Sequence, residues 1–212
     1  MSGRYPLLVD VSRLRILVVG GGEVALRKVR GVLEAGGKPA IVSPGVLPEL
    51  ERLIGQRSLG WRQREYAEGD VRGYSLVFAA TDSAGVNARI SADAEAEGAL
   101  VNVADDGEGS TFHVPAVIRR DDVVVGLSTG GASPLLSRRL RERLETVVTA
   151  GLGRAATRLA RVRKQLRDRY PADEARRRDA WFSLVTPEFL DAAIAGRDAD
   201  VEQRIARCLS QS

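Results

Sequence analysis

The 212-residue sequence predicts an α/β protein in which a parallel sheet with helices on both faces precedes a helical C-terminal region. Three observations predict this class. Short apolar runs alternate with helical patterns through the first hundred residues, and the connections between them are short. Alternating strands and helices of this kind form parallel sheets, because each crossover helix returns the chain to the start of the next strand. From residue 151 onward, apolar residues recur only at helical spacing.

The first half of the chain supplies the elements of the sheet in a regular order. Gly36-Gly37 and Gly98 follow the first and third helices, as expected where a helix closes in a left-handed residue. Asp82 or Ser83 precedes the third helix and can cap it. The predicted strands cover residues 15–19, 39–43, 59–66, 75–81 and 100–104, and the predicted helices cover residues 24–34, 48–53 and 84–97.

The remaining sequence predicts a β-hairpin, one helix and a separate helical domain. Two apolar runs between His113 and Thr129 flank a turn at residues 120–122, and Ser133-Pro134 then begins a helix that reaches about Val148. Three further helical stretches follow, the first of which ends at Pro171. We therefore divide the chain into a first domain over residues 1–112, a linking segment over residues 113–150 and a small all-α C-terminal domain over residues 151–212.

Composition limits the possible partners and the compartment. The chain is 44% hydrophobic and 28% charged, and no apolar run approaches the roughly 18 residues needed to cross a bilayer, so we expect no membrane partner. Cys208 is the only cysteine, which excludes an internal disulfide and favours a reducing, cytoplasmic location. The net charge is +4, and residues 151–180 carry ten Lys or Arg against four Asp or Glu. This excess favours an anionic partner, or it marks a solvated helix face.

The glycine-rich turn after the first strand is the strongest local signal. The segment GGGEVA, residues 20–25, fits the pattern G-x-G-x-x-G/A between a strand and a helix, which predicts a Rossmann-like sheet that binds a dinucleotide. Gly20 permits the tight turn, Gly22 lets the backbone approach a pyrophosphate, and the helix N-terminus offers N–H groups to the phosphates. A glycine turn that only packs is the alternative. Because residues 42–44 are Val, Ser and Pro, no acid follows the second strand, and this rule does not choose between NAD and NADP.

Five segments, in this order and spacing, resemble one family. They are GGGEVALRK (20–28), AATDSAGVN (79–87), VNVADD (101–106), STFHVPAVIRR (110–120) and STGGASPLLSRRLRERLE (128–145). Together they resemble the precorrin-2 dehydrogenase and sirohydrochlorin ferrochelatase family, the dehydrogenase module of siroheme synthases. The resemblance implies NAD-dependent oxidation of the tetrapyrrole precorrin-2 to sirohydrochlorin in siroheme biosynthesis, with Fe²⁺ insertion as a second activity in many members. It also implies a homodimer, with residues 113–150 as a dimerisation segment that exchanges strands.

The resemblance places the key acidic residue at Asp105, just after the fifth predicted strand. Ligands of open α/β sheets bind beyond the carboxyl ends of the strands, so a carboxylate there can take the proton that is lost when the macrocycle gives up a hydride. Asp106 is adjacent, and the sequence leaves it as a second candidate. A turn or capping role for Asp105 is the structural alternative.

The remaining site residues divide between cofactor and substrate. By resemblance, Glu23 and Val24 contact the cofactor at the start of the first helix, and Pro44 and Gly45 contact it after the second strand. Thr81 ends the fourth predicted strand, where it would meet the nicotinamide ribose. A second glycine-rich loop leads into a helix and could present N–H groups to a substrate carboxylate, or form a purely structural turn; its residues are Ser128, Thr129, Gly130 and Gly131.

Two other classes of function are open to this sequence. An NAD-sensing regulatory module without catalysis would explain the glycine turn, but not Asp105, the second glycine loop or the basic helical region. A nucleic-acid binder would use residues 154–178, but this stretch lacks interleaved aromatic residues, so we expect no nucleic-acid partner. His113 is the only histidine, and the sequence has no cluster of histidine and cysteine residues, so we expect no permanent metal site.

Overall fold

The computed structural model of the protein describes residues 5–104 and 106–211. The chain forms two compact units, Met1–Val114 and Pro115–Ser212. The first is an α/β unit built on a parallel sheet, and the second combines a β-hairpin with helices. Within the described ranges, none of the helices is both long enough and apolar enough to span a membrane.

The sheet of the first unit has five parallel strands. They are β1 (Ile16–Val19), β2 (Pro39–Val42), β3 (Trp61–Arg62), β4 (Leu76–Ala79) and β5 (Leu100–Val103). Their order is β3-β2-β1-β4-β5, and β1 pairs with β2 on one side and with β4 on the other. The strand order reverses between β1 and β4, which is the point where dinucleotide-binding α/β sheets form their ligand crevice.

Helices cover both faces of this sheet, namely α1 (Glu23–Glu34), α2 (Pro48–Arg57) and α3 (Ala84–Ala96). Successive residues of a strand point to opposite faces, so β1 contributes to two apolar layers. Val18 packs in the layer that contains Leu26 of α1 and Leu50 of α2, whereas Leu17 packs in the layer that contains Ile90 of α3. All four residues of β1 are buried, because the strand is covered on both faces.

The second unit begins with an antiparallel hairpin and continues in five helices. The hairpin strands are β6 (Ala116–Arg120) and β7 (Val123–Leu127), joined at Asp121, which has a φ of +49°. Apolar side chains of the last four helices form its core, with Phe189 and Leu184 each 2% exposed. The helices are α4 (Pro134–Leu144), α5 (Ala150–Arg169), α6 (Glu174–Leu184), α7 (Pro187–Ile194) and α8 (Asp198–Gln211).

The predicted fold class is confirmed, since a Rossmann-like parallel sheet precedes a hairpin, a helix and an all-α C-terminal region. The third strand, however, is shorter than predicted and ends at Arg62 rather than at Tyr66. The chain turns there, because the Arg64 N–H bonds to the Arg62 oxygen at 2.9 Å and the buried carboxylate of Asp70 binds the guanidinium groups of both arginines. The division into three domains stays a prediction.

Two helices of the second unit also differ from the sequence-based expectation. Helix α4 ends at Leu144 rather than near Val148, because Thr149 starts a new helix by accepting a hydrogen bond from the Leu152 N–H. Helix α7 was not predicted, although Thr186 caps it and Pro187 is its first residue, a pair typical of helix starts.

Candidate active site

The strand β1 leads directly into the glycine turn at the carboxyl edge of the sheet. Gly20 is buried and has a φ of +125°, a backbone conformation that residues with a side chain rarely adopt. A Cβ at this position would lie 2.6 Å from the carbonyl carbon of Ala80, just after β4. The end of the neighbouring strand therefore passes so close to the turn that only glycine fits.

Gly21 is enclosed as tightly by the loop that follows β2. A Cβ at position 21 would lie 2.8 Å from Ser43 Oγ and 2.9 Å from the carbonyl carbon of Gly45. The Leu47 N–H donates a hydrogen bond to the Gly21 oxygen (2.9 Å), which fixes the loop on the turn and brings Pro44 and Gly45 beside it. The sequence pattern leaves position 21 unspecified, so this steric requirement was missed.

Gly22 differs from the two preceding glycines, Gly20 and Gly21, because it faces open space. It precedes α1 with a φ of −84°, and among the described residues beyond its chain neighbours no atom lies within 4 Å of a Cβ built on it. Glu23 and Val24 form the first turn of α1, whose first N–H groups have no acceptor within the helix, and in the described part of the chain no side chain caps them. This arrangement fits the phosphates of a dinucleotide, which would fill the open volume and accept hydrogen bonds from the helix N-terminus.

Thr81 follows β4 at the same edge of the sheet, and a side chain from α3 holds it. Asn87 is 6% exposed, and its Oδ1 accepts hydrogen bonds from the Thr81 N–H (3.1 Å) and from the Thr81 hydroxyl (2.7 Å). Its Nδ2 donates to the Thr81 carbonyl oxygen at 3.0 Å. The structure thus brings Thr81 beside the glycine turn, and it adds Asn87, the last residue of the segment AATDSAGVN, to which the sequence analysis had given no role.

A polar network lies on β5 on the face covered by α1. Asn102 is 7% exposed, accepts a hydrogen bond from Lys28 Nζ (2.7 Å) and donates one to the Phe112 oxygen (3.1 Å). The Lys28 ammonium also lies over the ring of Phe78, 5.6 Å from its centroid. This network ties α1 to the end of β5. The predicted base, Asp105, lies outside the described residues.

Asp106, the second acidic candidate, builds a turn with its carboxylate. Its Oδ1 accepts hydrogen bonds from the N–H groups of Glu108 (3.0 Å) and Gly109 (2.9 Å). The Ser110 hydroxyl donates to the Asp106 carbonyl oxygen at 2.7 Å. Both the side chain and the backbone of Asp106 therefore shape the connection that follows β5. Among the described residues, no group of three or more His, Cys, Asp or Glu side chains could hold a metal ion.

The second glycine loop, in the second unit, is organised by its own hydroxyl groups. Thr129 Oγ1 lies 3.0 Å from Ser137 Oγ and donates to the Ser133 oxygen at 3.2 Å, while Ser128 Oγ accepts from the Gly130 N–H. Ser133 caps α4. Gly130 and Gly131 are exposed and left-handed, with φ values of +65° and +88°. The hydroxyls thus hold the turn, and the two glycines present its backbone.

Comparison with known proteins assigns the first unit to a family. A family model described as NAD(P)-binding matches residues 7–116, and a model described as the central part of sirohaem biosynthesis proteins matches residues 125–146. Because the first match covers more than half of the chain, the protein belongs to this NAD(P)-binding family. The predicted nicotinamide dinucleotide cofactor agrees with that membership.

Similar curated sequences are siroheme synthases. The chain is 41% identical over 206 residues to a siroheme synthase of Chromobacterium violaceum, and 35% identical over 200 residues to siroheme synthase 1 of Klebsiella pneumoniae. These alignments cover 95% and 94% of the chain but only 44% and 42% of the relatives, so the chain spans less than half of their length. The predicted resemblance to the siroheme synthase family is confirmed.

A solved structure supports the fold over nearly the whole chain. SirC, a precorrin-2 dehydrogenase, matches with a TM-score of 0.76 and 24% sequence identity. The match covers 96% of this chain and 100% of SirC. The two chains therefore share one fold from the parallel sheet to the C-terminal helices.

Proposed function

We propose that the chain is an NAD-dependent precorrin-2 dehydrogenase, which oxidises precorrin-2 to sirohydrochlorin in siroheme biosynthesis. The observation that carries this proposal is the open volume beside Gly22 at the uncapped N-terminus of α1, in a chain whose relatives are siroheme synthases. A bound NAD⁺ supplies the hydride acceptor there, and the protein orients it. The single cysteine supports the cytoplasm as the proposed compartment.

The cofactor contacts follow from the edge of the sheet. Gly20, Gly22, Glu23 and Val24 would hold the pyrophosphate, Pro44 and Gly45 would line the adenosine side, and Thr81 would meet the nicotinamide ribose. NAD is proposed over NADP because residues 42–47 carry no cationic side chain to bind a 2′-phosphate. Arg62, which ends β3, and Arg64, which follows it, are already bound by Asp70.

Asp105 is the proposed general base. When one carbon of the macrocycle gives up a hydride to NAD⁺, a proton must leave from a nearby position, and a carboxylate beyond β5 can accept it. The turn made by Asp106 supports this choice, because the neighbouring carboxylate already accepts two backbone hydrogen bonds. We therefore give Asp106 a structural role and assign the proton transfer to Asp105, the position that the resemblance implies.

The second glycine loop is proposed to bind the substrate. Gly131 would turn its exposed backbone N–H toward a carboxylate of the tetrapyrrole, and the Ser128 hydroxyl could donate a second hydrogen bond, while Thr129 and Gly130 hold the loop in shape. Fe²⁺ is proposed as a further substrate, inserted into sirohydrochlorin to give siroheme as two pyrrole protons leave.

We also propose a homodimer that uses residues 113–150. None of the residues of α4 is buried, and Leu135, Leu136 and Leu140 are 63%, 49% and 37% exposed. Apolar side chains exposed next to one another on a helix favour contact with a partner, and a second copy of the chain is the partner that the resemblance implies.

The assignment of the base is tested by two adjacent variants. Asp105→Ala should abolish NADH formation from precorrin-2 and NAD⁺ under anaerobic conditions, while the Kd for NAD⁺ stays within about twofold. Asp106→Asn is the matched control: its amide oxygen can still accept the two backbone hydrogen bonds, so turnover should persist. Normal turnover by Asp105→Ala, or loss of turnover only in Asp106→Asn, would reverse the assignment.

A further inference from the structure

Asn87 is a buried polar side chain that the proposed reaction does not use. Its amide bonds to three groups of one residue, accepting from the N–H and the hydroxyl of Thr81 and donating to the Thr81 carbonyl oxygen. An amide that binds the N–H and the carbonyl of the same residue fixes both backbone torsions of that residue. Since Asn87 is 6% exposed, water does not compete for these bonds.

The residue that Asn87 fixes lies against the glycine turn. The Thr81 nitrogen is 3.2 Å from the position that a Cβ on Gly20 would take, and the preceding carbonyl carbon of Ala80 is 2.6 Å from it. Thr81 itself is only half-buried. One side of Thr81 therefore packs on the turn, and the other is accessible to a bound ligand.

The contacts of the Thr81 hydroxyl also determine whether it can donate or accept a hydrogen bond toward a ligand. A hydroxyl has one hydrogen and two acceptor lone pairs. Both acceptors within reach belong to the protein, Asn87 Oδ1 at 2.7 Å and the Ser83 oxygen at 3.2 Å, and the Ser83 N–H donates to Oγ1 at 3.3 Å. The hydrogen thus points inward, and one lone pair remains. Toward a ligand this hydroxyl is an acceptor, which matches a ribose O–H group and not a phosphate oxygen.

We propose that Asn87 is a positioning residue for the cofactor, which orients Thr81 so that its hydroxyl accepts a hydrogen bond from the nicotinamide ribose. The inference rests on the proposed contact between Thr81 and that ribose. It extends this contact to a residue that does not touch the cofactor, and it states the direction of the hydrogen bond.

Binding of three ligands to the full chain tests the proposal. NAD⁺ and ADP-ribose contain the second ribose, whereas ADP contains the diphosphate without it. Calorimetric Kd values are measured for Thr81→Val, which removes the hydroxyl, for Thr81→Ser, which keeps it, for Asn87→Ala and for the double variant Thr81→Val/Asn87→Ala. Thermal unfolding shows whether each variant is folded. If Asn87→Ala does not fold, Asn87→Asp replaces it in the single and the double variant; its carboxylate keeps the acceptor oxygens, adds a negative charge and loses the donor to the Thr81 carbonyl oxygen.

The expected pattern is selective. Thr81→Val and Asn87→Ala should each raise the Kd for NAD⁺ and for ADP-ribose about three- to tenfold, which corresponds to the loss of one hydrogen bond. The Kd for ADP should change less than about twofold. Thr81→Ser should bind like the parent, and the double variant should bind no more weakly than Asn87→Ala. Equal loss of ADP affinity, or additive losses in the double variant, would overturn the positioning role. Unchanged NAD⁺ affinity in Thr81→Val would show instead that the proposed cofactor contact is wrong.

Discussion

Gly21→Ala should destabilise the first unit, because the new methyl group would collide with the loop after β2. The added Cβ would lie 2.8 Å from Ser43 Oγ and 2.9 Å from the carbonyl carbon of Gly45, where normal contacts exceed about 3.4 Å. Overpacking of this kind costs about 1–3 kcal/mol, and strain on the hydrogen bond from Leu47 to Gly21 adds about 1 kcal/mol. A loss of about 2–4 kcal/mol lowers the melting temperature by roughly 4–16 °C in a chain of this size.

Gly22→Ala is the matched control, because it adds the same methyl group one residue later, where no described atom beyond the neighbouring residues of the chain lies within 4 Å. It should lower the free energy of unfolding by less than about 1 kcal/mol, the cost of replacing glycine by alanine at a helix N-cap. Its methyl group would instead occupy the volume proposed for the phosphates, so the Kd for NAD⁺ should rise at least about tenfold. Urea denaturation and calorimetric titration measure both quantities. A Gly21→Ala variant as stable as its parent, or a Gly22→Ala variant that binds NAD⁺ normally, would refute this reading of the turn.

The remaining predictions concern acid stability and assembly. The hydrogen bond from Arg64, with the charge of Arg62 nearby, holds the pKa of Asp70 below its usual range. The Asp70 carboxylate therefore stabilises the fold fully above its unfolded pKa of about 4. This contribution is lost as the pH falls through the folded pKa. Asp70→Asn should cost about 1–2 kcal/mol at pH 7 by urea denaturation, and the gap from the parent should shrink in acid; a gap that does not change with pH would contradict this. The parent should have twice the 22.9 kDa chain mass by light scattering, and Leu136→Asp should halve it while Leu140→Ala changes it less; a monomeric parent would exclude the proposed dimer.

The sheet could be predicted from the sequence because its signals are local. All four residues of β1 are apolar and buried, and the glycines that follow mark the turn without any knowledge of distant residues. The same holds for Ser83, whose side chain caps α3. The length of β3 could not be predicted, because it depends on Asp70, which lies eight residues beyond Arg62 and draws the chain away from the sheet.

In the candidate site too, features that depend on contacts with other segments could not be predicted from the sequence. The glycine pattern marks Gly20 and Gly22, but the need for glycine at position 21 arises from Gly45, which the fold brings close from 24 residues away in the sequence. The sequence left Asp106 as a second candidate for the base, and its role in a turn became visible only in the hydrogen bonds that its carboxylate accepts from the N–H groups of Glu108 and Gly109. Steric and hydrogen-bond complementarity between distant segments carries no periodic signal in the sequence.

The central claim is that the dinucleotide held by the glycine turn is a reactant. The most direct measurement mixes the chain with precorrin-2 and NAD⁺ without oxygen and follows NADH and sirohydrochlorin by absorbance. We expect one NADH for each sirohydrochlorin formed, and no NADH when precorrin-2 is omitted. NAD⁺ that binds with no NADH formed would contradict it and would leave a chain that senses the dinucleotide without oxidising a substrate.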